Sequence, residues 1–231
     1  MVYSLTYNHE YIPPEQRNPT FHVNEVFYSL QGEGYFTGWP AIFIRLSGCN
    51  LQCPWCDTDH RFQARLTKEG LFETVDELLE ENVTEEARAP LFVITGGEPT
   101  LQDWFGLALL LHHRYGNSVC IETNGRICDS PDMQYLRLQG ILWVTVSPKI
   151  DVENCEPYFE DPEWEGDELK VVLSPKVDQE RLKTLPLQLG DRFLRYYIQP
   201  CSGDTEPAVQ FVKENPIWKL SLQTQKIIGI R

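Results

Sequence analysis

A chain of 231 residues with 42% hydrophobic content can bury a sizeable core and is too apolar for a disordered segment. Its formal net charge of −14 and isoelectric point near 4.8 argue against a nucleic-acid backbone as partner, since binding phosphates needs clustered Lys and Arg; a small-molecule substrate is expected instead. No apolar run approaches bilayer length, so no membrane association is expected, and seven cysteines behind an N-terminus with no basic start or apolar run read as reduced thiols of a cytoplasmic protein.

Residues 1–22, with Pro13, Pro14 and Pro19, read as an irregular N-terminal arm, and residues 23–231 as one domain without internal repeat, low-complexity tract or dividing linker. Strands are expected at 23–29, 41–46, 91–95, 118–122, 141–146, 168–173, 194–199 and 218–222, where aliphatic, β-branched and aromatic residues run between turn residues. Between several of them lie helical patterns. Thr74 with Glu77 forms a capping box opening a helix that ends near Asn82; Trp104, Leu107, Ala108, Leu111 and Tyr115 recur at helical spacing; Ser174-Pro175 and Thr205 with Pro207 read as two more helix starts. Residues 151–168, dense in Asp and Glu with no Lys or Arg, read as a solvated loop. Strands alternating with helices imply an α/β fold with a mainly parallel sheet.

The chemistry begins at Cys49, Cys53 and Cys56, three thiols within eight residues and no fourth nearby. Three thiolates on an iron-sulfur cluster leave one iron with an open position, where a small molecule can bind and react. The spacing resembles the signature of the radical S-adenosylmethionine enzymes. Two other readings compete. Adding His60 gives a Cys3His set for structural zinc, although four ligands within twelve residues staple little together, and a redox pair of Cys53 and Cys56 leaves Cys49 over. Cys120, Cys128, Cys155 and Cys201 lack the spacing of a second cluster, and Cys120 reads as a small buried hydrophobe in its strand.

Other informative residues fall at the ends of predicted strands, where parallel α/β folds build their sites. Thr95-Gly96-Gly97-Glu98-Pro99, Glu122-Thr123-Asn124-Gly125, Ser147-Pro148-Lys149 and Gln199-Pro200 each follow one. The glycines taken alone are ordinary turn residues; after a three-cysteine run they suit a backbone that must approach a cofactor closely. Arg45, also at a strand end, is placed to take a carboxylate bidentately, with a surface ion pair as the alternative.

Ser29-Leu30-Gln31-Gly32-Glu33-Gly34, Arg45-Leu46, Gly48-Cys49, Trp55-Cys56-Asp57-Thr58, Thr95 to Pro99, Val146 to Lys149 and the closing Leu220-Ser221-Leu222-Gln223-Thr224 resemble the 7-carboxy-7-deazaguanine synthases from about Asn24 onward. That resemblance implies an incomplete, modified TIM-like (β/α) barrel, a homodimer, and the conversion of 6-carboxy-5,6,7,8-tetrahydropterin to 7-carboxy-7-deazaguanine with loss of ammonia, on the way to queuosine. It also implies a 4Fe-4S cluster on Cys49, Cys53 and Cys56, reduced by a donor such as flavodoxin, and S-adenosyl-L-methionine against Gly97, Ser147, Pro148 and Lys149, with Gln199 placed beside them. Leu30, Gln31, Gly32, Arg45 and Thr95 would line the pterin, and Thr58 would offer a hydroxyl to Mg2+. Glu33, between two glycines, is either an acceptor for the pterin's N–H groups or a solvated loop acid. Gln225 stands where close relatives tend to have His. A glycyl-radical activating enzyme with a protein substrate would share the thiols and the Gly-Gly-Glu-Pro turn, but residues 30–34 and Thr58 argue against it.

Overall fold

The computed structural model describes residues 18–84, 87, 90–126, 131–150, 165–201 and 203–231. Nine strands form one sheet: β1 (Thr20–Leu30), β2 (Pro40–Leu46), β3 (Ala64–Thr67), β4 (Leu91–Gly96), β5 (Val119–Thr123), β6 (Leu142–Val146), β7 (Glu168–Leu173), β8 (Arg195–Pro200) and β9 (Trp218–Leu220). Their order is β3-β1-β2-β4-β5-β6-β7-β8-β9. β1 runs antiparallel to β2 and β3, and every pair from β2 to β9 is parallel. All eight expected strands are present. β3 was not expected, since Ala-Arg-Leu-Thr is too short and polar to show a period, and β1 starts at Thr20, inside the stretch read as an arm. Residues 1–17 of that arm and 151–164 of the acidic loop lie outside the described residues.

Side chains alternate across each strand, and the two faces of the sheet have opposite chemistry. On β7, Leu169, Val171 and Leu173 join the large apolar core under the helices, whereas Lys170 and Val172 line a cavity on the other face. A smaller apolar cluster of Phe27, Ala41, Phe43, Leu91, Val93 and Cys120 floors that second face, with Phe36 and Trp143 packed against it. Cys120 is thus the small buried hydrophobe its strand suggested.

The helices are α1 (Lys68–Asn82), α2 (Trp104–Tyr115), α3 (Pro131–Leu138), α4 (Gln179–Leu189), α5 (Glu206–Glu214) and α6 (Thr224–Ile228), with a 3-10 turn at Pro99–Leu101. In α2 the expected stripe is buried through Trp104, Leu107, Ala108 and Leu111, and Gly116, at φ 72°, ends the helix in the left-handed region. α5 follows Thr205 as expected. Two starts differ. α1 is capped by Thr67, whose hydroxyl accepts from Gly70 N at 3.2 Å, so Thr74 sits inside the helix and donates back to Gly70 O at 2.9 Å. The strand β3 leads straight into α1, and a strand end supplies the extended backbone a cap needs. α4 is capped by Asp178, because Ser174 and Val177 close a separate turn between strand and helix.

The curved sheet is an incomplete (β/α) barrel, and the loop between β1 and β2 spans its open side. Gly34 N donates to Ser221 Oγ at 3.0 Å, Tyr35 N to Glu168 Oε2 at 2.9 Å, and Thr224 N to Gly32 O at 3.0 Å. The Tyr35 ring stacks on Trp143 at 4.8 Å. Backbone groups that would face water at an open edge are paired here instead.

The capping assignment is testable by urea denaturation. Thr67→Ala should lower unfolding free energy by about 1 kcal/mol, while Thr74→Ala, in the helix interior, should change it by less than about 0.5 kcal/mol.

Candidate functional site

The C-terminal ends of the parallel strands open into a cavity of about 870 Å³. Its rim is the segment after β2, which carries the three cysteines. Leu51 is buried there, with Cys49, Cys53 and Trp55 packed around it, and Leu51 N donates to Cys49 Sγ at 3.4 Å. Cys56 N donates to Cys53 O at 3.1 Å, so the last two thiols share a turn. All three cysteines line the cavity, and none of them is in a disulfide.

The segment is seated on the loop after β4 by backbone bonds from Gly97 N to Leu46 O at 3.2 Å and from Glu98 N to Gly48 O at 2.9 Å. A Cβ at Gly97 would lie 2.0 Å from the Gly48 carbonyl oxygen. The close approach that demands glycine here is made by the protein's own thiol loop. Glu98 is buried and anchors the next layer: Oε1 accepts from Thr100 N, Thr100 Oγ1 and Thr123 Oγ1 at 3.1, 2.6 and 2.7 Å, and Oε2 accepts from Asn124 N at 2.7 Å. Asn124 Nδ2 then reaches Asn50 Oδ1 at 2.7 Å, which ties the end of β5 to the thiol loop.

The expected residues assemble around this rim. Leu30, Gln31, Gly32, Glu33, Arg45, Thr58, Thr95, Gly97, Ser147, Lys149 and Gln199 line the cavity together with the thiols. Pro148 is buried but does not line it. Gln31 Nε2 and Thr95 Oγ1 both donate to Glu122, at 3.1 and 2.9 Å. Lys149 Nζ donates to Ser147 Oγ at 2.8 Å and lies 5.7 Å from the centre of the Trp55 ring. Burial holds the Lys149 ammonium below its usual range, and nearby Lys170 pushes the same way. Arg45 Nε donates to Glu25 Oε1 at 2.8 Å.

Glu33 is no solvated loop acid. Its Oε2 pairs with Lys170 Nζ, and its Oε1 accepts from Gln223 Nε2 and Gln225 Nε2, each at 3.0 Å. Burial alone would raise the Glu33 carboxyl, but the Lys170 ammonium with the two amide donors outweighs it and holds the group below its ordinary value of 4.5. Burial likewise disfavours the Lys170 charge, and Glu33 overrides it, so the lysine stays protonated. Thr58 Oγ1 is 3.4 Å from Asp57 Oδ1, and Asp57 Oδ2 accepts from Gln223 Nε2 at 2.9 Å.

Glu25 and Lys170 were not singled out from sequence, and Glu122 only as the first residue of the turn after its strand, with no role given. A charged residue at an inward position of an otherwise apolar strand, as in Glu-Leu-Lys-Val-Val-Leu, is the signal that could have found Lys170.

The donor set suits a cluster more than a single ion. Among the described residues no three His, Cys, Asp or Glu side chains converge on one ion position, and His60 contributes a backbone carbonyl to Gly48 N. A cubane places its thiolates on three different irons, so its ligands stand farther apart than those of one ion. Two buried polar atoms of residues in the cavity wall, Gln199 Oε1 and Gln225 Oε1, have no hydrogen-bond partner among the described residues, which leaves acceptors for a bound molecule. Cys201 also lines the cavity, whereas Cys128 and Cys155 lie outside the described residues.

Comparison with known proteins agrees with this chemistry. The family model of the Radical SAM superfamily matches residues 43–160. A 7-carboxy-7-deazaguanine synthase of Bacteroides thetaiotaomicron is 41% identical over 90% of this chain and 98% of its own length. The enzyme of the same name from Escherichia coli K12 is 35% identical over 90% of this chain and 98% of its own. The crystal structure of QueE from Escherichia coli superposes with a TM-score of 0.65 at 31% identity, covering 89% of this chain and 94% of that one.

Two outcomes test the site's construction. Gly97→Ala should cut the iron retained after anaerobic reconstitution several-fold, read by iron analysis, because its Cβ must displace the Gly48 carbonyl. Lys170→Met should cost about 3–5 kcal/mol at neutral pH by leaving the Glu33 carboxylate buried and unpaired. The sign follows from Glu33: its stabilisation is present above 4.5 and is lost as pH falls through the lower folded value. The gap between wild type and variant in urea unfolding should therefore narrow as the pH drops through that window.

Proposed function

The chain belongs to the 7-carboxy-7-deazaguanine synthase family within the radical S-adenosylmethionine superfamily, and from that premise we propose that its cavity converts 6-carboxy-5,6,7,8-tetrahydropterin to 7-carboxy-7-deazaguanine with loss of ammonia, a step toward queuosine. It is a lyase that uses a 4Fe-4S cluster, S-adenosylmethionine, a small-molecule substrate and an external reductant. The observation that carries the reading is the convergence of the three-thiol loop, the Gly96-Gly97 contact and the buried polar wall on one cavity.

Cys49, Cys53 and Cys56 hold the cluster. When bound, the cluster and S-adenosylmethionine supply the one-electron chemistry that opens the C6–H bond of the substrate. Gly97, Ser147, Lys149 and Gln199 hold the cofactor, with Lys149 fixed by Ser147 and by the face of Trp55, and Pro148, buried off the cavity wall, sets the turn between Ser147 and Lys149. Arg45 takes the substrate carboxylate on its fork. Leu30, Gln31, Gly32 and Thr95 line the pterin, and Glu122 keeps the Gln31 and Thr95 side chains in place. Glu33, kept ionised by Lys170, accepts from the pterin's N–H groups. Thr58, beside Asp57, offers a hard oxygen to Mg2+. The loop over the open side of the barrel keeps water from the reacting centre.

The reductant is flavodoxin or a protein like it, the enzyme works in the cytoplasm, and it is a homodimer. Among the described residues no helix is long and apolar enough to cross a membrane. Neither alternative raised by the sequence is favoured: a structural zinc would explain the thiols alone, and an activating enzyme has no use for a buried polar wall suited to a heterocycle.

Anaerobic reconstitution tests the reading. About four irons per chain and product plus ammonia from carboxytetrahydropterin are expected; one zinc per chain without charge-transfer absorption would overturn it. In Thr58→Ala, turnover should fall and its response to added Mg2+ should weaken while iron content stays unchanged. An unaltered metal response would remove Thr58 from the magnesium site.

A further inference from the structure

Glu25 is assigned no part in the site so far, yet its placement requires an irregularity in β1. Val23 pairs with Leu46 and Glu25 with Arg45, so Asn24 is an extra residue and the strand carries a bulge there. The bulge reverses the alternation. Before it, Phe21 and Val23 point into the core beneath the helices; after it, Phe27 belongs to the cluster flooring the cavity, while Val26 and Tyr28 pack toward the helix side. Without the extra residue Glu25 would share a face with Phe21 and Val23. With it, Glu25 stands on the cavity face opposite Arg45.

There Glu25 Oε1 takes the Nε–H of Arg45 at 2.8 Å, and Oε2 pairs with Arg231. Both guanidinium carbons lie against the Phe27 ring, Arg45 Cζ at 5.6 Å and Arg231 Cζ at 5.2 Å from its centre, and Phe27 is itself stacked on Phe43 at 4.9 Å. The guanidinium of Arg45 is held at its Nε edge and supported on a ring. Among the described residues its terminal nitrogens make no other hydrogen bond.

We propose that Glu25 is a positioning residue for substrate recognition: by holding Nε it fixes the direction of the Arg45 fork, so that the two terminal nitrogens meet the pterin carboxylate in parallel. The proposal rests on the reading that Arg45 binds that carboxylate. Its physical content is a sign. Coulomb's law alone makes Glu25 a liability, since one carboxylate repels another, and its removal should then tighten binding. A pre-aimed fork makes the opposite prediction, because an unanchored arginine must be immobilised on binding.

The experiment is equilibrium binding of 6-carboxypterin and of pterin without the carboxyl group to anaerobically reconstituted holoenzyme, read by ligand fluorescence. Wild type should prefer the carboxylated ligand. Glu25→Ala should reduce that preference about tenfold and leave pterin affinity unchanged. Glu25→Gln, whose amide oxygen still accepts the Nε–H, should keep it to within about threefold. Glu25→Asp, which keeps the charge and loses the reach, should fall with Ala, and the Gln and Asp variants decide the matter even if Ala does not fold. A preference unchanged or increased in Glu25→Ala, or retained by Asp and lost by Gln, overturns the positioning role. Arg45→Lys separates the premise from the proposal: it should abolish the preference, and if the preference survives in it, the carboxylate reading itself fails and the role of Glu25 with it.

Discussion

A lysine and a glutamate, 137 residues apart in sequence, meet inside the barrel, and the enclosure of the site depends on their pairing. Glu33 comes from the loop between β1 and β2, Lys170 from the middle of β7. Burying either charge alone would cost several kcal/mol; buried together, with Gln223 and Gln225 satisfying the other carboxylate oxygen, they hold the loop across the open side of the sheet. Glu168, one inward position below Lys170, fastens the same loop by accepting from Tyr35 N, and is itself held by Thr145 Oγ1 of β6. Burial raises its carboxyl even with Lys170 nearby, so the Glu33 and Glu168 carboxyls are shifted in opposite directions. The loop's attachment is polar, directional and tied to ionisation, which suits a wall that must also present acceptors to a substrate.

The rest of the site follows from the two faces of one sheet. Apolar side chains on the helix side supply most of the burial, as in any parallel α/β protein. The opposite face cannot be apolar throughout, because it must bind a heterocycle, a carboxylate and a sulfonium cofactor. Its floor is aromatic and aliphatic, and most of its polar residues stand toward the C-terminal strand ends, Arg45, Thr95, Glu122, Ser147 and Gln199, with Glu168 and Lys170 lower on β7. Several are supported by a neighbour, as Glu122 supports Gln31 and Thr95, and Glu25 supports Arg45. A catalytic cavity that confines a radical gains from this arrangement, since side chains locked by a supporting shell keep the reacting atoms in register.

Gly97 shows how closely fold and chemistry are joined. The thiol loop and the Gly-Gly loop approach so closely that no side chain fits between them, and Glu98 then binds the second loop to the end of β5. The thiol loop and the loops after β4 and β5 are thereby placed by three adjacent strands. Repositioning any of these loops would move the others.

The sequence by itself determined the features whose physics is local. Eight strands were legible because apolar, β-branched runs bounded by turns have few other conformations, and the thiols and glycines because their chemistry is specific to the residue type. Where local signals were weak or duplicated, reading failed: β3 and α6 are too short for a period, and Thr74 and Ser174 look like caps although Thr67 and Asp178 perform the capping. Only the tertiary structure decided the pairings. Gln31 with Glu122, Glu33 with Lys170 and Arg231 with Glu25 join residues 91, 137 and 206 positions apart, and one extra residue at Asn24 sets which face Glu25 occupies. A charge carries no mark in sequence of the partner that will pay for its burial, since that partner is chosen by how the strands stack.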